Sequence, residues 1–247
     1  MSDFDRNIAA RGSFADRGVA VDVGLRAHML RVYNYMAVAV ALSGAVAWLT
    51  YNAAVDSANR LTPFGKAVFG GPLMWVLLIG TIGLVFFISW RIDRLKFTTA
   101  LTLFMIYAAL LGVTLAPIFV VYTGASITKV FFISAASFGA LSLYGYTTQR
   151  DLSAMGAFLM MGLFGLIIAS LVNIFLKSSG LDWIISIAGV GIFAGLTAWD
   201  TQKIKEMYDV NDDGTVSGRK AVMGALSLYL DFINLFIMLL RLIGDRR

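Results

Sequence analysis

Cysteine is missing from the 247-residue chain, which excludes disulfides and every thiolate metal centre. Histidine is nearly missing. His28 alone leaves no multi-histidine zinc site, and a Ser-His-Asp triad would have to be built on that one ring. His28 reads instead as a residue at a membrane edge. Charge is scarce as well: 14% of residues are charged, against roughly 25% in ordinary soluble domains. The formal +5 does not point to nucleic acid, because the basic residues are scattered through short loops. Residues 1–28 lack the apolar centre of a cleavable signal and intersperse Arg6, Arg11, Arg17 and Arg26 with Asp3, Asp5, Asp16 and Asp22. They are expected to form a partly disordered cytoplasmic arm, with a membrane domain over 29–247.

What fills the chain is apolar sequence, 59% of it hydrophobic, in long uncharged runs. These lie at 33–55, 67–90, 97–128, 130–149, 153–176, 183–199 and 221–240, each near the ~20 residues that a spanning helix needs. The third run is long enough to include a loop near Tyr122-Thr-Gly-Ala. The expected fold is an all-α integral membrane protein with seven transmembrane helices.

Lys and Arg set the orientation. With the first residues inside, the inner side collects Arg6, Arg11, Arg17, Arg26, Arg31, Arg91, Arg94, Lys96, Arg150, Lys203, Lys205, Arg219 and Lys220. The outer loops hold only Arg60, Lys66, Lys129 and Lys177. The expected placement is therefore multi-pass, with a cytoplasmic amino terminus. Arg241, Arg246 and Arg247 go against this pattern if the last run crosses. Crossing is favoured over a re-entrant loop because the run is long enough. Gly191 and Gly195 in the sixth run, and Gly156, Gly162 and Gly165 in the fifth, have the small-residue character of helix-packing seams.

Asp231 is the only charged residue between Lys220 and Arg241, and Asp200 closes the preceding apolar run. A bare carboxylate at membrane depth is costly, so such a residue marks a functional site with a partner to be named. Two on consecutive spans can partner each other. Side by side they cannot both ionise cheaply, so they share a proton and titrate as a unit. Deprotonated, their oxygens are hard ligands suited to Ca²⁺. Asp200 also has a plainer reading, as an interfacial residue beside Thr201, Gln202 and Lys203. Arg94 and Arg91, at the inner end of the second span, are candidate cations for a latch that breaks on protonation. Their plainer reading is as inner-face anchors. A third feature, Asp209-Val210-Asn211-Asp212-Asp213-Gly214, opens like a Ca²⁺ loop but carries Lys220 where a bidentate glutamate belongs. It reads as an Asp/Asn/Gly turn.

SLYGYTTQRDLS (142–153), GLTAWDTQKIK (195–205) and ALSLYLDFINLFIMLLR (225–241) resemble the bacterial Bax-inhibitor family, and the likeness runs from Leu25 onward. The resemblance implies a location in a bacterial inner membrane and a central last helix ringed by the other six. It also implies a pH-sensitive Ca²⁺ leak controlled by an aspartate pair falling on Asp200 and Asp231, with a basic latch on Arg94, or on Arg91 failing that.

A proton-regulated Ca²⁺ leak channel or Ca²⁺/H⁺ exchanger is the leading expectation. Its partners are Ca²⁺, protons and the lipid bilayer; Ca²⁺ is the transported or bound ion, and no cofactor is expected. Asp200 and Asp231 would supply the metal ligands. An intramembrane aspartyl protease also places two aspartates on consecutive spans. Its Gly-x-Gly-Asp is replaced here by Leu228-Tyr229-Leu230-Asp231, and no proline follows. The chain is therefore not expected to be an enzyme. A third class, a non-transporting regulator of a protein partner, would use the charged loop 201–220.

Overall fold

The structure is a computed structural model that describes residues 3–247, with side chains from Val23 onward. The expected arm over 1–28 lies for the most part outside the described side chains. Among the described residues there are nine α-helices and one 3-10 turn. They are α1 (Asp3–Ala54), α2 (Pro63–Gly70), α3 (Pro72–Arg91), the turn Ile92–Arg94, α4 (Phe97–Leu115), α5 (Ile118–Val121), α6 (Gly124–Thr147), α7 (Ser153–Leu176), α8 (Ser179–Glu206) and α9 (Gly214–Ile243). Seven segments cross the membrane: Val23–Ala54 of α1, α3 with its turn, α4 with α5, and α6 to α9.

The helix boundaries follow capping chemistry more than charge. Thr62 accepts a hydrogen bond from the Gly65 N–H ahead of Pro63, so a short helix forms before the second span. Gly71-Pro72 then breaks the chain, so the span begins at Pro72 rather than at 67. Thr123 caps α6 by accepting from the Ser126 N–H, which starts that helix at Gly124 and carries Lys129 onto it rather than into a loop. Asp213 accepts from the Thr215 and Val216 N–H groups, starting α9 well before 221. From there α9 is continuous for 30 residues, ~45 Å against a hydrocarbon core of ~30 Å. It crosses; it is not re-entrant.

The last helix is the centre. From Ala221 to Leu240 no position is exposed: Leu226, Asp231 and Met238 are buried as well as Ala225, Tyr229 and Phe232, and the remainder, such as Met223 and Leu230, are half-buried, as a helix enclosed by protein requires. α8, α1, α6 and α4 pack directly on it. α3 packs on α4, and α7 on α8. The expected ring of six is thus an inner ring of four with two helices outside. The outer pair turn Trp75, Phe86 and Trp90, or Phe158, Phe164 and Phe175, towards lipid.

Small residues set the approach of the helices. A β-carbon on Gly145 of α6 would stand 2.1 Å from the Ala198 carbonyl oxygen of α8, and one on Gly112 of α4 would stand 2.6 Å from the Ser43 carbonyl of α1. Of the glycines marked in the sequence, Gly156 lies against Trp199, Gly162 against Ile192 and Gly195 against Leu159, at the α7–α8 seam. Gly165 and Gly191 face open space.

Candidate intramembrane aspartate site

α8 and α9 run antiparallel and close, because Gly224 makes room for Ile204 and Gly189 for Met238. This contact brings Asp200 and Asp231 together. The two carboxyl groups are near neighbours across that contact. Asp231 is 5% exposed, and its Oδ2 has no hydrogen-bond partner among the described residues. Asp200 is partly buried and lies within α8, which runs on to Glu206 instead of ending at 199. A carboxylate only accepts hydrogen bonds, so a bond between the two needs a proton on one of them.

Two directed hydrogen-bond chains flank the pair. The single hydroxyl hydrogen of Ser43 goes to backbone carbonyls, those of Ala39 and Ala108 at 2.9 and 2.8 Å. The Tyr229 hydroxyl, 2.6 Å away, must therefore donate to Ser43 Oγ. In the second chain Thr201 donates to the Thr197 carbonyl at 2.7 Å. Ser142 then donates to Thr201 at 2.9 Å, and Tyr33 donates to Ser142. That chain links α1, α6 and α8 and ends beside Asp200.

The candidate latch residues are elsewhere in this conformation. Arg94 is exposed in the turn after α3, and the Arg91 guanidinium lies 5.7 Å from the centre of the Trp90 ring. Neither makes an ion pair with Asp200 or Asp231 among the described residues. The cation whose charge reaches Asp200 is Lys203, one turn along α8 and 5.1 Å from the Trp199 ring centre.

The loop 209–214 is a turn whose acidic groups all have structural partners. Asp209 accepts from the Asn211 backbone and side chain, which holds its carboxyl below the usual range. Asp212 pairs with Lys220, and Asp213 caps α9. No group of three or more Asp, Glu or His side chains able to hold a metal occurs among the described residues.

Several polar residues of this region escaped the sequence reading. Gln202 accepts from the Leu152 N–H and donates to the Arg150 carbonyl, both at 2.8 Å, pinning the α6–α7 link to α8. Gln202, Thr201 and Ser142 all fall within the quoted motifs, but hydropathy gives neutral polar residues no weight. His28, near the start of the first span, is 3% exposed and packs on Tyr208 of the α8–α9 connection, with ring centres 5.7 Å apart.

Relatives match this sequence along most or all of their length. The chain is 48% identical over 229 residues to the uncharacterized protein RP147 of Rickettsia prowazekii, covering 92% of each. It is 46% identical over 235 residues to the inner membrane protein YbhL of Escherichia coli, covering 94% of this chain and 97% of that one. A Caulobacter vibrioides protein matches at 42% over the full length of both. The family described as "Inhibitor of apoptosis-promoting Bax1" matches residues 25–247, from the first span through the helix that carries Asp231. With a family match over nearly the whole chain and relatives matched end to end, this multi-pass membrane protein belongs to the Bax-inhibitor family.

Proposed function

We propose that the protein passes Ca²⁺ across the bacterial inner membrane, as a pH-sensitive leak channel or a Ca²⁺/H⁺ exchanger, with Asp200 and Asp231 as both proton and ion site. The observation that carries this reading is the meeting of the buried Asp231 carboxyl with that of the partly buried Asp200 at the α8–α9 contact. Two carboxylates offer at most four oxygens, whereas Ca²⁺ takes six to eight. An ion held there keeps part of its water shell, which suits passage better than storage. A shared proton and a divalent cation compete for the same oxygens, so acidification opposes ion binding at the pair. The amino-terminal side of the bundle, with Arg150, Lys203, Lys205, Arg219 and Lys220, is the cytoplasmic one in this reading.

The test is Ca²⁺ flux into proteoliposomes across a pH series. Asp231→Asn and Asp200→Asn keep side-chain shape but remove the charge, and each should flatten the pH profile while the protein stays folded. An unchanged profile in both would remove the pair as sensor. The latch role of Arg94 belongs to a conformation other than the one described. Arg94→Ala should then raise basal flux where the pair is ionised, and Arg91→Ala should do less. Negligible effects from both would leave these arginines as anchors.

A further inference from the structure

His28 is the only histidine of the chain, and the mechanism above does not use it. It is 3% exposed, and neither ring nitrogen has a hydrogen-bond partner among the described residues. The ring lies on a cavity of ≈ 200 Å³ bounded by α1, the α8–α9 connection and the first turn of α9. Tyr208 from that connection packs on His28 with the rings tilted by 42° and fits a slot at Gly24, one turn earlier on α1. The slot exists only because residue 24 has no side chain: a β-carbon there would stand 1.9 Å from the Tyr208 hydroxyl.

We propose that His28 is a proton-operated latch. Neutral, it seats Tyr208 and holds the α8–α9 connection against α1; protonated, it releases that connection. The charges around the ring set the direction. Arg31 on α1 and Lys220 on α9 oppose a positive imidazole, while Asp212 favours one. Asp212, however, is committed to Lys220, and Asp209, which also lines the cavity, is committed to Asn211. An imidazolium in this seat would be a buried cation beside two others, facing Asp212 already paired with Lys220 and Asp209 held to its own turn by Asn211. It must leave the seat or draw Asp212 away from Lys220, and either move loosens the connection. Imidazole is the side chain whose ordinary titration falls between pH 5 and 8. The connection joins the two helices that carry the aspartates, so the latch would act on their relative position without touching either.

The chain has no cysteine, so a spin label on Val210→Cys, an exposed residue of the connection, reports from one place. In the full-length protein in nanodiscs, the label should be restricted at pH 8. Its mobile fraction should rise severalfold as the pH is lowered from 8 towards 5. His28→Gln should abolish that step, whereas Asp231→Asn should keep it, which separates the latch from the aspartate pair and from the transport reading. Gly24→Ala should give the mobile spectrum at every pH, and it serves as the test if His28→Gln fails to fold. The proposal is overturned by a step that persists in His28→Gln, by no step in the parent protein, or by a restricted label in Gly24→Ala.

Discussion

The direction of each buried hydroxyl decides what its removal costs. Thr201 is the acceptor at the end of the chain from Tyr33 through Ser142. Thr201→Val keeps the shape but strands the Ser142 hydrogen in the core, a penalty of about 1–3 kcal/mol. Tyr33→Phe removes only the first donor of the same chain and leaves no hydrogen stranded, so it should cost about 0.5–1.5 kcal/mol. Unfolding midpoints in a fixed detergent should rank Thr201→Val below Tyr33→Phe. The reverse order would mean that the chain runs the other way. The same logic applies at Ser43, where Tyr229 is the donor and Ser43 keeps its carbonyl partners when that donor is gone.

Elements are joined here by a few polar anchors and by close backbone contact. Gln202 makes two bonds to the link between α6 and α7. Gln202→Ala should leave the Leu152 N–H and the Arg150 carbonyl unpaired, and hydrogen exchange at 148–152 should speed up by one to two orders of magnitude, matching about 1–3 kcal/mol. Exchange at α9 should be unaffected. Charge-free runs made the seven spans legible, because charge is costly in lipid and the runs are long. Their ends were less legible. A run stops at the first charge, whereas a helix stops where its backbone groups find caps, so Lys129 and Lys220 marked false ends and the helices start at the caps Thr123 and Asp213. The short α2 was hidden because Gly70, Gly71 and Pro72 interrupt a stretch that stays apolar throughout. Asp231 stood out as a lone charge in an apolar run. Its contact with Asp200 depends on glycines at 189 and 224 whose partners, Met238 and Ile204, lie on the opposite helix, and spacing along one strand of sequence cannot show that.

At the scale of the whole molecule the unsettled feature was the far end of α9, where three arginines run against the usual distribution of charge. In the proposed orientation that end lies away from the cytoplasm, and the fold holds it in place. The segment after α9 does not hang free. The Arg247 N–H donates to the Val121 carbonyl at 2.9 Å, the Thr123 N–H donates to the Asp245 carbonyl, and Asp245 N–H donates to Ser126 Oγ at 2.8 Å. Arg241 and Arg246 stand 3.7 and 3.9 Å from Asp182 at the start of α8, and Arg247 reaches the Tyr51 hydroxyl at 3.3 Å. The exposed ion pairs contribute little each, but the backbone bonds fix the segment at the end of the bundle that also holds the α1–α2 and α7–α8 links. The α8–α9 connection lies at the opposite end, one full helix away. A periplasmic-active phosphatase fused after Arg247 should therefore be active, while a fusion within 209–213 should be inactive. A membrane-impermeant thiol reagent on intact cells should likewise label a cysteine at position 245 and not one at 210. Equal labelling at both positions would mean that α9 fails to cross, and the central helix of this fold would have to be redrawn.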